Sequence, residues 1–103
     1  MTDSEFLYQD DEGTAFEVVI REDGVVVDIS TATLKTITFK KPGGSKFIAG
    51  AAHVTDGKDG KLQYIFLHGD LSEYGLYKYQ AYVELPSGKW HTTIGSFDVR
   101  RNL

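Results

Sequence analysis

The sequence predicts an all-β fold: two antiparallel sheets, of about seven strands in total, packed face to face. Three observations carry this reading. Side-chain character alternates at period two in runs such as "TAFEVVIR" and "GLYKYQAYVEL", as in strands with one buried and one wet face. Turn signals rich in Gly, Pro and Asp separate these runs roughly every 8–12 residues. No segment has the spacing of an amphipathic helix, and a lone sheet would leave one apolar face in water.

The elements follow in order. Residues 1–12, "MTDSEFLYQDDE", hold Asp3, Glu5, Asp10, Asp11 and Glu12 with no base and no period, which reads as an acidic arm before a domain at 13–103. Phe6, Leu7 and Tyr8 interrupt the arm. Either a buried strand pairing or docking on a neighbouring subunit accounts for them. From Thr14, Phe16, Val18 and Ile20 share one side while Glu17, Val19 and Arg21 share the other. "EDG" at 22–24 turns the chain, because Gly accepts the positive φ of tight hairpins. "VVVDIS" returns as a short strand, and "TLKTITFKK" sets Ile37 and Phe39 against a face of β-branched threonines.

"KPGGS" is a turn. "KFIAGAAHVT" is weakened by Gly50 and its alanines, which predicts a bulge or a close backbone approach. "DGKDG" turns into "KLQYIFL", "HGDLSEYG" reads as a loop with a helical turn, and "LYKYQAYVEL" and "KWHTTIGSFDVR" form a last hairpin across "PSG". Ile94 shares parity with Trp90 and Thr92 but not with Phe97 and Val99, which predicts a bulge at Gly95.

On the strand from Leu76 to Leu85, parity places Tyr77, Tyr79, Ala81 and Val83 inward. Phe16, Phe39, Tyr64 and Phe97 complete the expected aromatic core. The chain has no cysteine, so neither disulfides nor thiolate metal sites hold it and packing must. Tyr77 follows Gly75 at the start of the penultimate strand. Immunoglobulin-like sandwiches place there a tyrosine corner, whose hydroxyl bonds back to upstream backbone. The expected class is therefore an immunoglobulin-like antiparallel β-sandwich with Tyr77 as its structural tyrosine.

Composition narrows the function. Five of the fifteen acids lie in the first twelve residues, leaving ten against eleven bases downstream. A nearly neutral body argues against nucleic-acid binding, which needs a concentrated basic face. Lys40, Lys41 and Lys46 flank "PGGS" and read as solvated loop lysines. No apolar run nears the roughly 18 residues of a membrane span, and the N-terminus lacks a basic-then-apolar leader, so the protein is expected to be soluble when made.

His53, His68 and His91 lack the close spacing of a zinc motif. "DGKDG" lacks the alternating ligands of a calcium loop. Ser72, Asp70 and His68 come without a nucleophile elbow. No catalytic residue, metal ligand or cofactor is expected. Tyr82 and Trp90 resist inward placement; exposed together, they would form an anchor of the type enriched in interface hot spots. With Tyr74 they would alternatively offer a stacking platform for a host-surface glycan.

The runs "GTAFEVVIREDGVVVDISTATLKTITFKKPGGSKF", "VTDGKDGKLQYIF" and "GLYKYQAYVELPSGKWHTTIGSFDVR", over roughly residues 13 to 101, resemble the immunoglobulin-like N-terminal domain of bacteriophage baseplate upper proteins and related tail proteins. The order and spacing of the "FEV" strand, the "KKPGG" turn, the "DGK" strand start and the "PSGK" hairpin carry the likeness. The resemblance implies a non-enzymatic virion component of the tail or baseplate, made in the host cytoplasm, docked on other virion proteins and homo-oligomeric in the particle. Its interface would use edge strands, Phe6, Leu7 and Tyr8, or Tyr82 and Trp90. A capsid decoration protein and a carbohydrate-binding module are the alternatives. Baseplate upper proteins continue into a linker or scaffold where this chain ends at Leu103, so a module standing by itself is expected.

Overall fold

The computed structural model describes residues 7–103. Among them are eleven strands and no helix: β1 (Leu7–Tyr8), β2 (Ala15–Val19), β3 (Arg21–Glu22), β4 (Val25–Val26), β5 (Leu34–Lys40), β6 (Lys46–Gly50), β7 (Ala52–His53), β8 (Lys61–Ile65), β9 (Gly75–Leu85), β10 (Gly88–His91) and β11 (Gly95–Arg100). The largest sheet has six strands. It runs β1-β11-β9-β5-β6, with β10 pairing the second half of β9 on the edge whose first half takes β11. A second sheet runs β2-β8-β7, and β3-β4 is a hairpin. At that hairpin's tip Asp23 and Gly24 both have positive φ, 52° and 80°, the geometry that matches the twist of the flanking strands.

The large sheet is mixed, which corrects the expectation of purely antiparallel pairing. β1 lies parallel to β11, with Leu7 opposite Val99. No hairpin fixes the direction of a terminal strand. Lying this way, Leu7 is buried in the core, Gln9 N donates to Arg100 O at 2.8 Å, and Gly13 N donates to Phe66 O at 2.8 Å as the chain crosses to β2. Phe6 lies outside the described residues.

The strand count exceeds about seven because long runs are interrupted where the chain must change partners. "KFIAGAAH" breaks at Ala51, whose N–H donates to Lys35 O; β6 before it pairs β5, and β7 after it pairs β8 in the other sheet. The last strand breaks at residues 92–94. Gly95 then restarts the ladder where a Cβ would stand 2.4 Å from the Tyr79 ring, so no other residue fits without moving that ring. "HGDLSEYG" has no helical turn. The Asp70 carboxylate accepts from Leu67 N at 2.8 Å, and such side-chain bonds compete with helix.

The core follows the alternation. Tyr77, Ala81 and Val83 of β9 and Ile37 and Phe39 of β5 are fully buried, with Tyr79 packed against them. Leu62, Phe66, Leu71 and Ile29 close the core from the opposite side. The Phe16 ring on β2 spans the two sheets: its centroid lies 4.8 Å from Tyr79, 5.1 Å from Phe97 and 5.4 Å from Phe39, two edge-on and one tilted, arrangements that aromatic quadrupoles favour. The Tyr77 hydroxyl donates to Glu73 O at 2.8 Å and accepts from Glu73 N at 3.2 Å, locking the loop that leads into β9.

Phe16 is partly buried, so removing its ring is expected to cost about 3 kcal/mol, the lower end for core aromatics, a large share of the roughly 5–10 kcal/mol expected for a domain of this size. Urea titration of Phe16→Ala checks this; a loss below about 1 kcal/mol would mean the ring does not tie the sheets. Tyr77→Phe, which keeps the volume and drops both bonds to Glu73, is expected to cost about 1–2 kcal/mol.

Candidate interaction surfaces

The side chains singled out as chemistry-bearing are dispersed and engaged. His53 Nε2 lies 2.9 Å from Ile29 O. His68 pairs with Glu12 at 3.1 Å in an exposed ion pair, and the His91 ring packs 4.5 Å from that of Tyr82. Ser72 Oγ accepts from Lys41 Nζ at 2.9 Å. Asp70 takes the Tyr64 hydroxyl at 2.5 Å as well as Leu67 N. The "DGKDG" carboxylates of Asp56 and Asp59 accept from the backbone of Lys58 and Lys61. Among the described residues no group of three or more His, Asp or Glu could hold a metal ion.

Tyr82 and Trp90 do not share a surface. Trp90 is opposite Val83 and His91 is opposite Tyr82, so Trp90 turns to the core side with Val83 while Tyr82 turns outward. The indole packs against the core, lies over Gly88, and donates from Nε1 to Glu22 Oε2 at 2.7 Å. The expectation that Trp90 resists inward placement is thus corrected: its pairing with Val83 across the β9–β10 hairpin turns it to the core. Tyr74 precedes β9, at the far end of that strand from Tyr82, with Arg101 5.8 Å from its ring. The three rings of a sugar-stacking platform therefore stand apart. Leu7 belongs to the core, and Tyr8 is 44% exposed on the outermost strand beside β11.

What remains open is the outer face of the large sheet. Thr36, Thr38 and Lys40 of β5, Lys46 and Ile48 of β6, and Lys78, Gln80 and Tyr82 of β9 point away from the core, as alternation requires. With His91 and Ile94 they border a shallow groove of about 450 Å³. Ile48 is 71% and Ile94 67% exposed. Register places Lys46, Lys40 and Lys78 directly abreast across three strands. Sequence reasoning found Lys40 and Lys46 but assigned them to a loop; Lys78 joins them only through long-range pairing.

The polar side chains singled out above serve the chain's own turns, and the outer face of the large sheet is left accessible. The chain belongs to the BppU N-terminal domain family, the N-terminal domain of the phage baseplate upper protein, whose family model matches residues 2–103. Membership implies a structural component of a phage baseplate, with a virion location, other virion proteins as partners and no enzymatic role. A search of curated proteins returned no match.

Three tyrosines hold their protons beyond the ordinary range. Burial and then the Asp70 carboxylate push Tyr64 up to about 12; burial raises Tyr77; the bond to Glu84, 2.6 Å, raises Tyr82. A raised folded-state pKa means that Tyr64 stabilises the fold fully below its unfolded value near 10, and that this contribution is lost as pH rises through about 12. Ultraviolet titration is expected to show a late-ionising tyrosine that Tyr64→Phe removes. If the variant and the parent lose stability equally between about pH 10 and 12, the coupling is absent.

Proposed function

We propose that this chain is an immunoglobulin-like adaptor or decoration module of the phage tail or baseplate, docking without chemistry onto other virion proteins and onto copies of itself in the particle. The observation that carries the reading is the family match over residues 2–103. The strand order supports the immunoglobulin-like part. β2-β8-β7 stands where such sandwiches have B, E and D, and β5, β9 and β11 stand where they have C, F and G, with β6 added beyond β5. The return bond from Tyr77 to Glu73, at the start of the penultimate long strand, has the form of a tyrosine corner.

Two features support docking as the activity. Tyr82, half-buried on the outer sheet face, and Tyr8, exposed on the β1 edge, keep surface that a partner can cover, whereas Leu7 and Trp90 serve the core. An edge strand also offers unpaired backbone groups as a template for another chain.

Mass spectrometry and electron microscopy of purified particles test this. The chain is expected in particles at a fixed copy number that follows the symmetry of the tail. Its absence from particles would overturn the reading, and its location on the head would move it to a capsid decoration role.

A further inference from the structure

Lys46, Lys40 and Lys78 form one cross-strand row on β6, β5 and β9, and all three are exposed. Directly paired residues have Cα atoms about 4.5–5.5 Å apart, well inside the screening length of about 8 Å at physiological salt. Like charges placed this way destabilise a sheet. Among the described residues none of the three makes an ion pair. The closest acids by register on the same face are Asp98, beside Leu76 one row away, and Glu84, which accepts from Tyr82 at the other end of β9. Lys41, next in sequence, is by contrast tied to Gly69 O and Ser72 Oγ.

The row adjoins the groove. One strand step along, Ile48, Thr38 and Gln80 lie abreast, and the next step brings Thr36 and Tyr82. Ile94 borders the same space. A polyanion such as nucleic acid would satisfy the lysines and leave two largely exposed isoleucines unexplained. A second copy docked with its two-fold axis on the row would set six lysines together, which argues against a self-contact centred there.

We infer that the outer face of β5, β6 and β9 docks an acidic segment of a different virion protein, with carboxylates on the Lys40, Lys46 and Lys78 row and an apolar side chain in the groove between Ile48 and Ile94. This rests on the reading of the chain as a particle component. It assigns the docking face and the chemistry of the partner. Charge sets the register and the rate of such an encounter, while the groove supplies the apolar contact.

The test begins with intact particles in which the chain has been detected by mass. A water-soluble carbodiimide joins a lysine amine to a touching carboxylate without a spacer. Links from Lys40, Lys46 or Lys78 to Asp or Glu of a second protein are expected, with exposed Lys58, in the turn before β8, and Lys61, on β8, as controls. Links to another copy of this chain, links spread evenly over all lysines, or lysines on the row as reactive to acetylation in the particle as in the free chain would each overturn the inference. Lys40→Glu supplies a second arm. It turns a row of three positive charges into an alternating one, so the isolated chain is expected to melt at the same or a higher temperature, while incorporation into particles falls about tenfold. Unchanged incorporation would overturn the docking face. Absence of the chain from particles removes both readings, whereas presence with an unprotected row removes only this one.

Discussion

The structure depends on the aromatic seam between its sheets. Phe16 of the small sheet is in contact with Phe39, Tyr79 and Phe97 from three different strands of the large one, and Tyr64 of β8 packs beside it on Phe39. A chain of 103 residues without cysteine has no crosslink to fall back on, and its fold rests on how well two apolar faces interlock. The demand propagates along the sequence. Phe39 and Tyr79 must face inward, which fixes the parity of β5 and β9, and parity in turn decides what the opposite face shows to solvent. Gly95 is a secondary requirement of the same packing, since the Tyr79 ring occupies the space where its side chain would be.

Much of this is legible in the sequence because it is local. The inward set Tyr77, Tyr79, Ala81 and Val83 follows from period-two alternation, and the positive φ at Asp23 and Gly24 from the hairpin signal. Misplaced residues sit where local pattern stops. Trp90 is turned inward by its register with Val83 across a hairpin. Leu71 and Ile29 are buried from loops, where no period exists to identify them. The direction of β1 is decided by a partner more than ninety residues away in sequence. The lysine row is visible only once three strands are laid in register; no short window contains it.

The polar chemistry is inward-looking in the same sense. Asp70 holds Tyr64 and the loop after β8; Asp56 and Asp59 hold a turn; Glu73 and Tyr77 hold the approach to β9. Groups used this way pin the backbone of connections that a small core cannot pin by itself. A surface supported on such connections is fixed in shape before any partner arrives, which limits the ordering cost of association. That suits the baseplate family to which the chain belongs.

The parallel alignment of β1 with β11 has a mechanical side. Tension applied between the segment entering Leu7 and the segment leaving Arg100 drags these two strands past each other along their length, because both run the same way. Sliding strands strain every rung of a ladder at once, whereas peeling them apart breaks rungs singly. The rung from Gln9 to Arg100 and the Asn102 amide on Gln9 O lie directly in that load path. A part built so bears a pull along its long axis better than its modest thermodynamic stability would indicate.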